Sequence, residues 1–324
     1  MAQIVLIGIS AGAATALLFI SVASGSLIAI VLFYLAPLPI LIAAIGWSHV
    51  AGLIAALTAA AALALVAGSA YFLAFLVGIG VPAWWLGYLA LLARPVATNG
   101  TTAIEWYPAG RLVVWAAVLG ATVVTIGLFN FGFDFEAVQS GLKRAFERTM
   151  RLHLDTPADA PLQLPGISEA GRLLDVLVVL LPPLAALVST MTNLFNLWLA
   201  GRIVDMSGGL ERPWPALAAI TFPPTVSIAL VATVALSFLS GLIGVIAGIF
   251  ALTLLFAYAV LGLAVLHSIT TGLTSRGFML AGAYALIAVF GWPLVLMMLL
   301  GLVDALFDLR GRAAANRGPP PHPT

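Results

Sequence analysis

Three polar side chains, Ser189, Asn193 and Asn196, recur four and three residues apart within an apolar segment. This spacing places them on one face of a helix. In hydrocarbon, hydroxyl and amide groups need hydrogen-bond partners, so such a face either joins two helices or lines a ligand site. Joining helices is the commoner role, and the three residues are our candidates for ligand binding inside a bilayer.

Aromatic side chains form a second candidate site, at Trp84, Trp85 and Tyr88. Rings of this kind collect at membrane–water interfaces, which is their usual role in apolar segments. Alternatively, they form a stacking wall for a flat heterocyclic ligand. In that case Glu105, Trp106 and Tyr107, from the polar connection that follows, complete the wall of the site.

His267 stands near the end of a long apolar run and carries an imidazole that titrates near neutral pH. A single histidine at such a place is usually a hydrogen-bonded group at the membrane interface. The alternative is a ligand contact or a proton relay. We include His267 among the candidate ligand-binding residues.

Catalytic and metal-binding patterns are missing from the sequence. The chain has no Cys and no Walker A, H-E-x-x-H or calcium-loop pattern. An acid–base or nucleophilic site needs converging ionisable groups, and few of them lie away from predicted loops. We therefore expect no catalytic residue, no metal ion and no cofactor, and an enzyme is the least favoured class.

Two glycine patterns are better explained by helix packing than by chemistry. Residues 8–12 match G-x-S-x-G, the pattern of a hydrolase nucleophile elbow, which requires a sharp strand-to-helix turn. This segment is instead a continuous apolar helix candidate, in which Gly8, Gly12 and Ala16 form a small-residue face for close packing. Residues 78–83 match G-x-G-x-x-A, where Pro82 predicts a helix kink and no dinucleotide site.

Charged residues gather in two places. Across 134–152, apolar residues recur at helical spacing opposite basic ones, which predicts an amphipathic helix at the membrane surface. The candidate partner-docking residues on it are Arg144, Arg148 and Arg151. Asp304 and Asp308 lie one helical turn apart at the end of the last apolar run, as a solvated helix end or as a further docking point.

The composition shows which elements must position these residues. Of 324 residues, 63% are hydrophobic and 8% are charged, with a mean hydropathy of +1.16. A water-soluble globule cannot hide this much apolar surface. A net charge of +1 gives no footprint for nucleic acid. The chain is therefore predicted to be a multi-span helical membrane protein.

The apolar runs predict an all-α polytopic transmembrane bundle of about eight or nine spans, each needing about 20 apolar residues. We expect one transmembrane domain over 1–312, an amphipathic linker helix over 134–152 and a disordered tail over 313–324. The predicted spans lie near 2–22, 27–46, 49–67, 71–92, 112–131, 173–200, 217–239, 242–268 and 278–303.

The distribution of Lys and Arg predicts the orientation. If the chain crosses nine times, one side carries Lys143, Arg144, Arg148, Arg151, Arg172, Arg310, Arg312 and Arg317. The other side carries Arg94, Arg111, Arg202, Arg212 and Arg276. The first set is larger, so we place the 134–168 linker and the C-terminus in the cytoplasm and the protein in the cell (inner) membrane.

Several stretches carry a family resemblance, in chain order: 33–39, 46–47, 196–202, 262–267 and 301–310. Together they resemble the YybS-like family of predicted bacterial integral membrane proteins. The resemblance implies a multi-pass membrane protein and no particular mechanism.

A more distant similarity is to the substrate-binding S-components of energy-coupling-factor vitamin transporters and to the MreD cell-shape proteins. It rests on a small-residue first helix, a Pro-containing stretch and a Gly-rich turn: Gly8, Gly12, Ala16, Pro37, Pro39, Gly46 and Gly52. S-components generally have six spans and a cytoplasmic N-terminus, so spans seven to nine depart from their pattern.

Two functions are compatible with these features. The first is an S-component-like binder or transporter of an uncharged or weakly charged, vitamin-like small molecule. The alternative is a non-catalytic MreD-like scaffold or assembly factor that recruits a membrane or cytoplasmic protein. The expected partners are thus the lipid bilayer, a small-molecule ligand and a protein partner, and no nucleic acid.

Overall fold

The computed structural model describes residues 1–98, 101–153 and 170–315, which are almost entirely helical. Within this part of the chain, seven helical segments are long and apolar enough to cross a membrane. They are Ala2–Ser24, Leu27–Gly46, His49–Ala67, Ala70–Ala90, Ala109–Leu128, Val176–Met206 and Leu242–Ile269. The prediction of an all-α, multi-span membrane fold is confirmed.

Serine and proline residues set the starts of the N-terminal helices, which are α1 (Ala2–Ile20), α2 (Leu27–Tyr34), α3 (Pro37–Gly46) and α4 (His49–Ala67). Ser26 caps α2, its Oγ accepting from the Ala29 N–H at 3.2 Å, and Ser48 caps α4 in the same way. Pro37 begins α3, where its missing N–H costs no helical hydrogen bond.

A wide helical turn occurs where the sequence predicts a kink. Helix α5 (Ala70–Phe75) continues through a π-helical turn over Leu76–Gly80 into α6 (Val81–Ala90). Pro82 lacks an N–H, and its ring excludes the carbonyl one turn earlier, so the backbone widens just before it.

A β-hairpin follows α6, where the sequence analysis expected only a polar connection. Strands β1 (Ala93–Thr98) and β2 (Thr101–Trp106) pair antiparallel, with Arg94 opposite Glu105. These two side chains form an ion pair, with 2.7 Å between Nη2 and Oε2. The chain then enters α7 (Ala109–Leu128).

The next helices are α8 (Phe135–His153), α9 (Ala170–Met206), α10 (Pro224–Ser237) and α11 (Leu242–Ile269). Helix α8 coincides with the predicted amphipathic helix, and its first turn is capped by Asp134, whose Oδ1 accepts from the Ala137 N–H at 2.8 Å. Residues 154–168 of the predicted linker lie outside the described residues.

Two predicted spans differ from the structure. Over 217–239, only α10 forms a regular helix, because Pro223 and Pro224 prevent helix before it. Over 278–303, the chain forms α12 (Arg276–Phe290) and α13 (Pro293–Phe307).

The break between α12 and α13 lies at Gly291, whose φ of 70° ends α12, and at Pro293, which starts α13. Each helix has 15 residues, which is a length of about 22 Å against the roughly 30 Å of a hydrocarbon core. The last helix, α14 (Leu309–Ala315), covers the start of the predicted tail, and residues 316–324 lie outside the described part of the chain.

The chain forms two compact units, which are described separately. The first comprises the described residues of Met1–Ala116, Met191–Ser227 and Leu255–Thr324, and the second those of Ala117–Thr190 and Ile228–Leu254. The second unit has its own small core, whose buried members are Ala121, Leu128, Val138, Ala186 and Ile249. The first unit contains the site described next.

Candidate functional site

A cavity of about 830 Å³ lies within the first unit. Its walls come from the end of α6, the start of α7, helices α9 and α11, the segment 210–220 and Tyr284 of α12. The largest apolar side chains around it are Met191, Phe195, Trp198, Trp214, Phe256 and Leu263. We refer to this space as the α9–α11 cavity.

One wall of the cavity depends on a glycine. Gly201 of α9 lies directly under the ring of Trp214, so that a Cβ at this position would overlap the ring. Trp214 is flanked by Pro213 and Pro215, and the segment around it runs without regular helix. The large ring of Trp214 therefore lies against α9 and forms one wall of the cavity.

Two arginines, Arg202 and Arg212, line the cavity and differ in exposure and in partners. Arg202 is half-exposed and pairs with Asp205, with 3.1 Å between Nη1 and Oδ2. Arg212 is only 7% exposed, and its Nη1 donates to the Ala90 carbonyl at 2.8 Å. Its Nε is buried and has no hydrogen-bond partner among the described residues. Burial lowers the pKa of the Arg212 guanidinium from its usual value.

The C-terminal helices brace another wall of the cavity. Arg310 pairs with the buried Asp304, with 2.8 Å between Nη2 and Oδ2. The Nη1 of Arg310 also donates to the carbonyls of Ala218 and Ile220, at 3.0 and 2.7 Å. This arrangement fixes the 217–220 segment, of which Leu217 and Ile220 line the cavity.

The same contact corrects the predicted topology. With nine crossings, Arg310 and Arg212 were assigned to opposite sides of the membrane. In the structure, Arg310 bonds to a segment that begins five residues after Arg212. The region predicted as the ninth span is divided into two helices, α12 and α13, each shorter than the candidate spans.

The sequence profile of DUF2232, described as a predicted membrane protein family, matches residues 13–305 of the chain. The chain belongs to the DUF2232 family. No curated protein and no solved structure matches it. The DUF2232 match includes every residue that lines the cavity, from Ile45 to Tyr284. Membership establishes an integral membrane protein, and the similarity to YybS-like proteins, S-components and MreD remains a prediction.

In this DUF2232 chain, the predicted polar face of α9 makes a contact between helices. Asn196 is fully buried, and its Nδ2 donates to the carbonyls of Tyr34 and Thr192, each at 2.8 Å. Asn193 is 4% exposed, and its Nδ2 has no partner among the described residues. Ser189 is half-buried. These residues are not among those that line the cavity.

The predicted aromatic site is a cluster of rings in mutual contact. The centroids of Trp84, Trp85 and Tyr88 lie 5.7 to 6.3 Å apart. Trp115 of α7 packs edge-on against Trp85 at 5.5 Å, and the Trp84 Nε1 donates to the His49 carbonyl at 3.1 Å. Because the rings contact one another, little of their surface is left to stack on a ligand.

Glu105 and Trp106 do not complete this cluster as predicted. The Glu105 side chain is 50% exposed and pairs with Arg94, and Trp106 lies opposite Ala93 in the hairpin. Tyr107, the third residue predicted there, does contact the rings, since its hydroxyl oxygen accepts from the Trp115 Nε1 at 3.0 Å.

His267 lies behind one cavity-lining residue. Its Nε2 is 3.0 Å from the hydroxyl oxygen of Tyr284, which lines the cavity, and His267 itself does not. His267, predicted to bind a ligand, therefore positions Tyr284, a residue that lines the cavity.

The small-residue face of α1 lies against α4. A Cβ added at Gly12 would be 2.6 Å from the Ala55 carbonyl oxygen, and one at Gly8 would be 2.7 Å from the Ile54 Cβ. Ala16 is also buried. Ser10, between the two glycines, is exposed on a continuous helix and has none of the geometry of a nucleophile elbow.

The predicted docking residues fall into two groups. Arg144 and Arg148 of α8 are exposed, and Arg151 is half-buried. Asp304 is buried in an ion pair with Arg310. Asp308 is exposed, and its Oδ1 accepts from the Gly311 N–H at 3.1 Å.

Sequence reasoning missed Arg212, Trp198 and Trp214 as site residues. Trp198 lies inside the stretch 196–202 that carried the family resemblance, and this position was an available signal. Arg212 was counted only as a loop cation, because its burial depends on the contact with Ala90, which is 122 positions away in sequence.

Proposed function

We propose that this DUF2232 protein binds a small molecule with an apolar body in the α9–α11 cavity. The observation that carries the proposal is a space of about 830 Å³ with mainly apolar walls. Ligand sites are typically concave, largely apolar and about 300–1,000 Å³ in volume, with a few polar groups that fix orientation. The cavity has this character, with Arg202, Arg212 and Tyr284 as its polar groups.

The proposal keeps the binder hypothesis and changes its site. A vitamin-like heterocycle was expected to stack on Trp84, Trp85 and Tyr88, but those rings pack on one another. The α9–α11 cavity offers aliphatic walls and two indole rings instead, which favours an elongated apolar ligand over a flat polar one. Transport of this ligand, as in an S-component-like protein, is the extension that the distant resemblance suggests.

Quenching of tryptophan fluorescence tests the proposal, because Trp198 and Trp214 line the cavity. The purified protein in nanodiscs is titrated with 11-bromoundecanol, a neutral chain whose bromine quenches indole on contact. We expect saturable quenching that is lost when Trp198 and Trp214 are both replaced by Phe. Quenching that rises linearly without saturation, equally in both proteins, would contradict the proposal.

A matched pair of variants locates the ligand. Val260→Phe places a larger side chain on the cavity wall. It should weaken binding by about tenfold, a loss of roughly 1.4 kcal/mol, because the ring occupies space that the ligand would fill. Val231→Phe makes the same change on α10, where Val231 is 70% exposed, and should leave binding unchanged. Equal effects of the two variants would place the ligand elsewhere.

A scaffold role is the second candidate, and α8 is the observation that favours it. Val138 of this helix is buried in the core of the second unit, while Arg144 and Arg148 are exposed. A photo-cross-linker placed at Ser140 should capture a defined protein, and Arg144→Gln with Arg148→Gln should abolish capture. Recovery of lipid alone would count against the scaffold role.

A further inference from the structure

Arg212 differs from three arginines that form ion pairs in the described part of the chain. Arg94, Arg202 and Arg310 each pair with a carboxylate, at 2.7, 3.1 and 2.8 Å. Arg212 is 7% exposed, lines the cavity and forms no ion pair with a described residue. Its one hydrogen bond in the described chain goes to the neutral carbonyl of Ala90.

A buried guanidinium without a counter-charge is unfavourable. Removing the ion from water costs free energy that a single carbonyl does not return, and buried charges are normally paired. In the part of the chain that the structure describes, the Nε of Arg212 also lacks a hydrogen-bond partner. A charge in this state attracts an anion into the adjoining space, and it does so strongly because apolar walls screen the field poorly.

Guanidinium chemistry limits the class of anion. The planar fork of N–H donors matches carboxylate and phosphate oxygens, with which it forms charge-assisted hydrogen bonds. The walls of the cavity along α9 and α11 are apolar, so they offer few hydrogen-bond partners to a polar ligand body. Along α9, the lining runs from Met191 to Arg202, which is about 16 Å at 1.5 Å per residue.

We infer that the cavity takes an amphiphile whose carboxylate or phosphate head pairs with Arg212 and whose apolar chain lies between α9 and α11. The inference rests on the proposed function and deepens it, because it assigns the ligand a charged head and gives that head a specific residue. Arg202 is not the anchor, since Asp205 already neutralises it.

The test compares two ligands that differ only in the head. The intact protein in nanodiscs is titrated with 11-bromoundecanoate and with 11-bromoundecanol, and quenching that depends on Trp198 and Trp214 is measured. The carboxylate should bind about tenfold more tightly than the alcohol, the effect of one charge-assisted contact. Inorganic phosphate distinguishes a free anion from a lipid head: it should displace the carboxylate poorly, because it has no chain to bury.

Variants of two arginines assign the preference. Arg212→Gln should remove the preference for the carboxylate, and Arg212→Lys should retain part of it, because the charge remains but the fork is lost. Arg94→Gln, the matched control at an exposed arginine that does not line the cavity, should keep the full preference. If Arg212→Gln does not fold, the inference is still tested by the ratio of the carboxylate and alcohol affinities, measured for the native protein and for Arg212→Lys.

The outcomes separate this inference from the proposed function. No saturable quenching by either ligand overturns both. Saturable binding of the alcohol, with the carboxylate no tighter, overturns the inference alone. So does an unchanged preference in Arg212→Gln together with a lower melting temperature, which would show that Arg212 only ties its loop to Ala90. Displacement of the carboxylate by phosphate at equal concentration would replace the amphiphile by a free oxyanion.

Discussion

The α1–α4 interface and the α9–α11 cavity lie in the same unit and are built from equally apolar sequence, yet one is dense and the other hollow. On α1, Gly8 and Gly12 let the backbone come within contact of α4, whose facing Ala51 and Ala55 are fully buried. Around the cavity, the large side chains of Phe195, Trp198 and Trp214 line open space. The periodicity of side-chain size, and not hydropathy, decides whether a membrane helix packs or encloses space.

The two regions also differ in what resists a larger residue. Beside Gly12 the obstacle is the carbonyl oxygen of Ala55, which belongs to the backbone of α4. Beside Gly201 the obstacle is the ring of Trp214, a side chain next to open space. A helix backbone cannot give way without breaking its hydrogen bonds, whereas a ring can move into the cavity.

The largest effect is expected at the brace of the cavity. Asp304→Asn leaves the Arg310 guanidinium without its counter-charge and releases the 217–220 segment. Breaking a buried pair on one side costs about 3–5 kcal/mol, measured as the free energy of unfolding in detergent. The control is Asp308→Asn, which should cost well under ~1 kcal/mol, because Asn accepts the left-handed backbone that Asp308 adopts at a φ of 49°. Equal losses would show that Asp304 and Arg310 brace nothing.

An intermediate effect is expected in the dense interface. Gly12→Leu forces α1 away from α4 and should destabilise the protein by about 3 kcal/mol, since overpacking costs up to this amount. Gly282→Leu is the matched control on α12, where a Cβ meets no atom within 4 Å. Thermal unfolding of the two variants in the same nanodiscs compares them, and a tolerated Gly12→Leu would disprove close packing of α1.

The smallest effect is expected at the cavity wall. Gly201→Ala should cost about 1 kcal/mol, because the Trp214 ring can shift toward the open space. It should weaken quenching by 11-bromoundecanol, because the displaced ring occupies part of the cavity. In a Trp214→Ala background the cost of Gly201→Ala should disappear, because the ring that overlaps the new Cβ is gone. If Gly201→Ala is as damaging as Gly12→Leu, the contrast between the two regions fails.

The sequence predicted the elements whose signal is local. Seven apolar runs match seven long helices, and the amphipathic pattern matches α8. The hairpin was missed because the pairing of Arg94 with Glu105 joins two polar segments that show no strand alternation. The break between α12 and α13 did have a local signal, Gly291 followed by Pro293, but the unbroken hydropathy of 278–303 concealed it.

The candidate site was harder to predict for a physical reason. Asn196 and the Trp84 cluster attract notice because polar and aromatic groups are unusual in apolar segments, and both make internal contacts. The cavity is lined by Met191, Phe256 and similar residues, which look the same in sequence whether they face lipid, another helix or a hollow. Only the three-dimensional arrangement separates these cases.

A hairpin with unpaired outer edges is unstable among lipid tails, because the amide and carbonyl groups at those edges need hydrogen-bond partners such as water. Strands β1 and β2 therefore belong in the aqueous phase or among the headgroups. Ala90, the last residue of α6, precedes β1 by only three positions, so we expect the carbonyl that holds Arg212 to lie near the boundary between the lipid of one leaflet and water. An amphiphile entering sideways from that leaflet could keep its head at its original depth while only its tail changed surroundings.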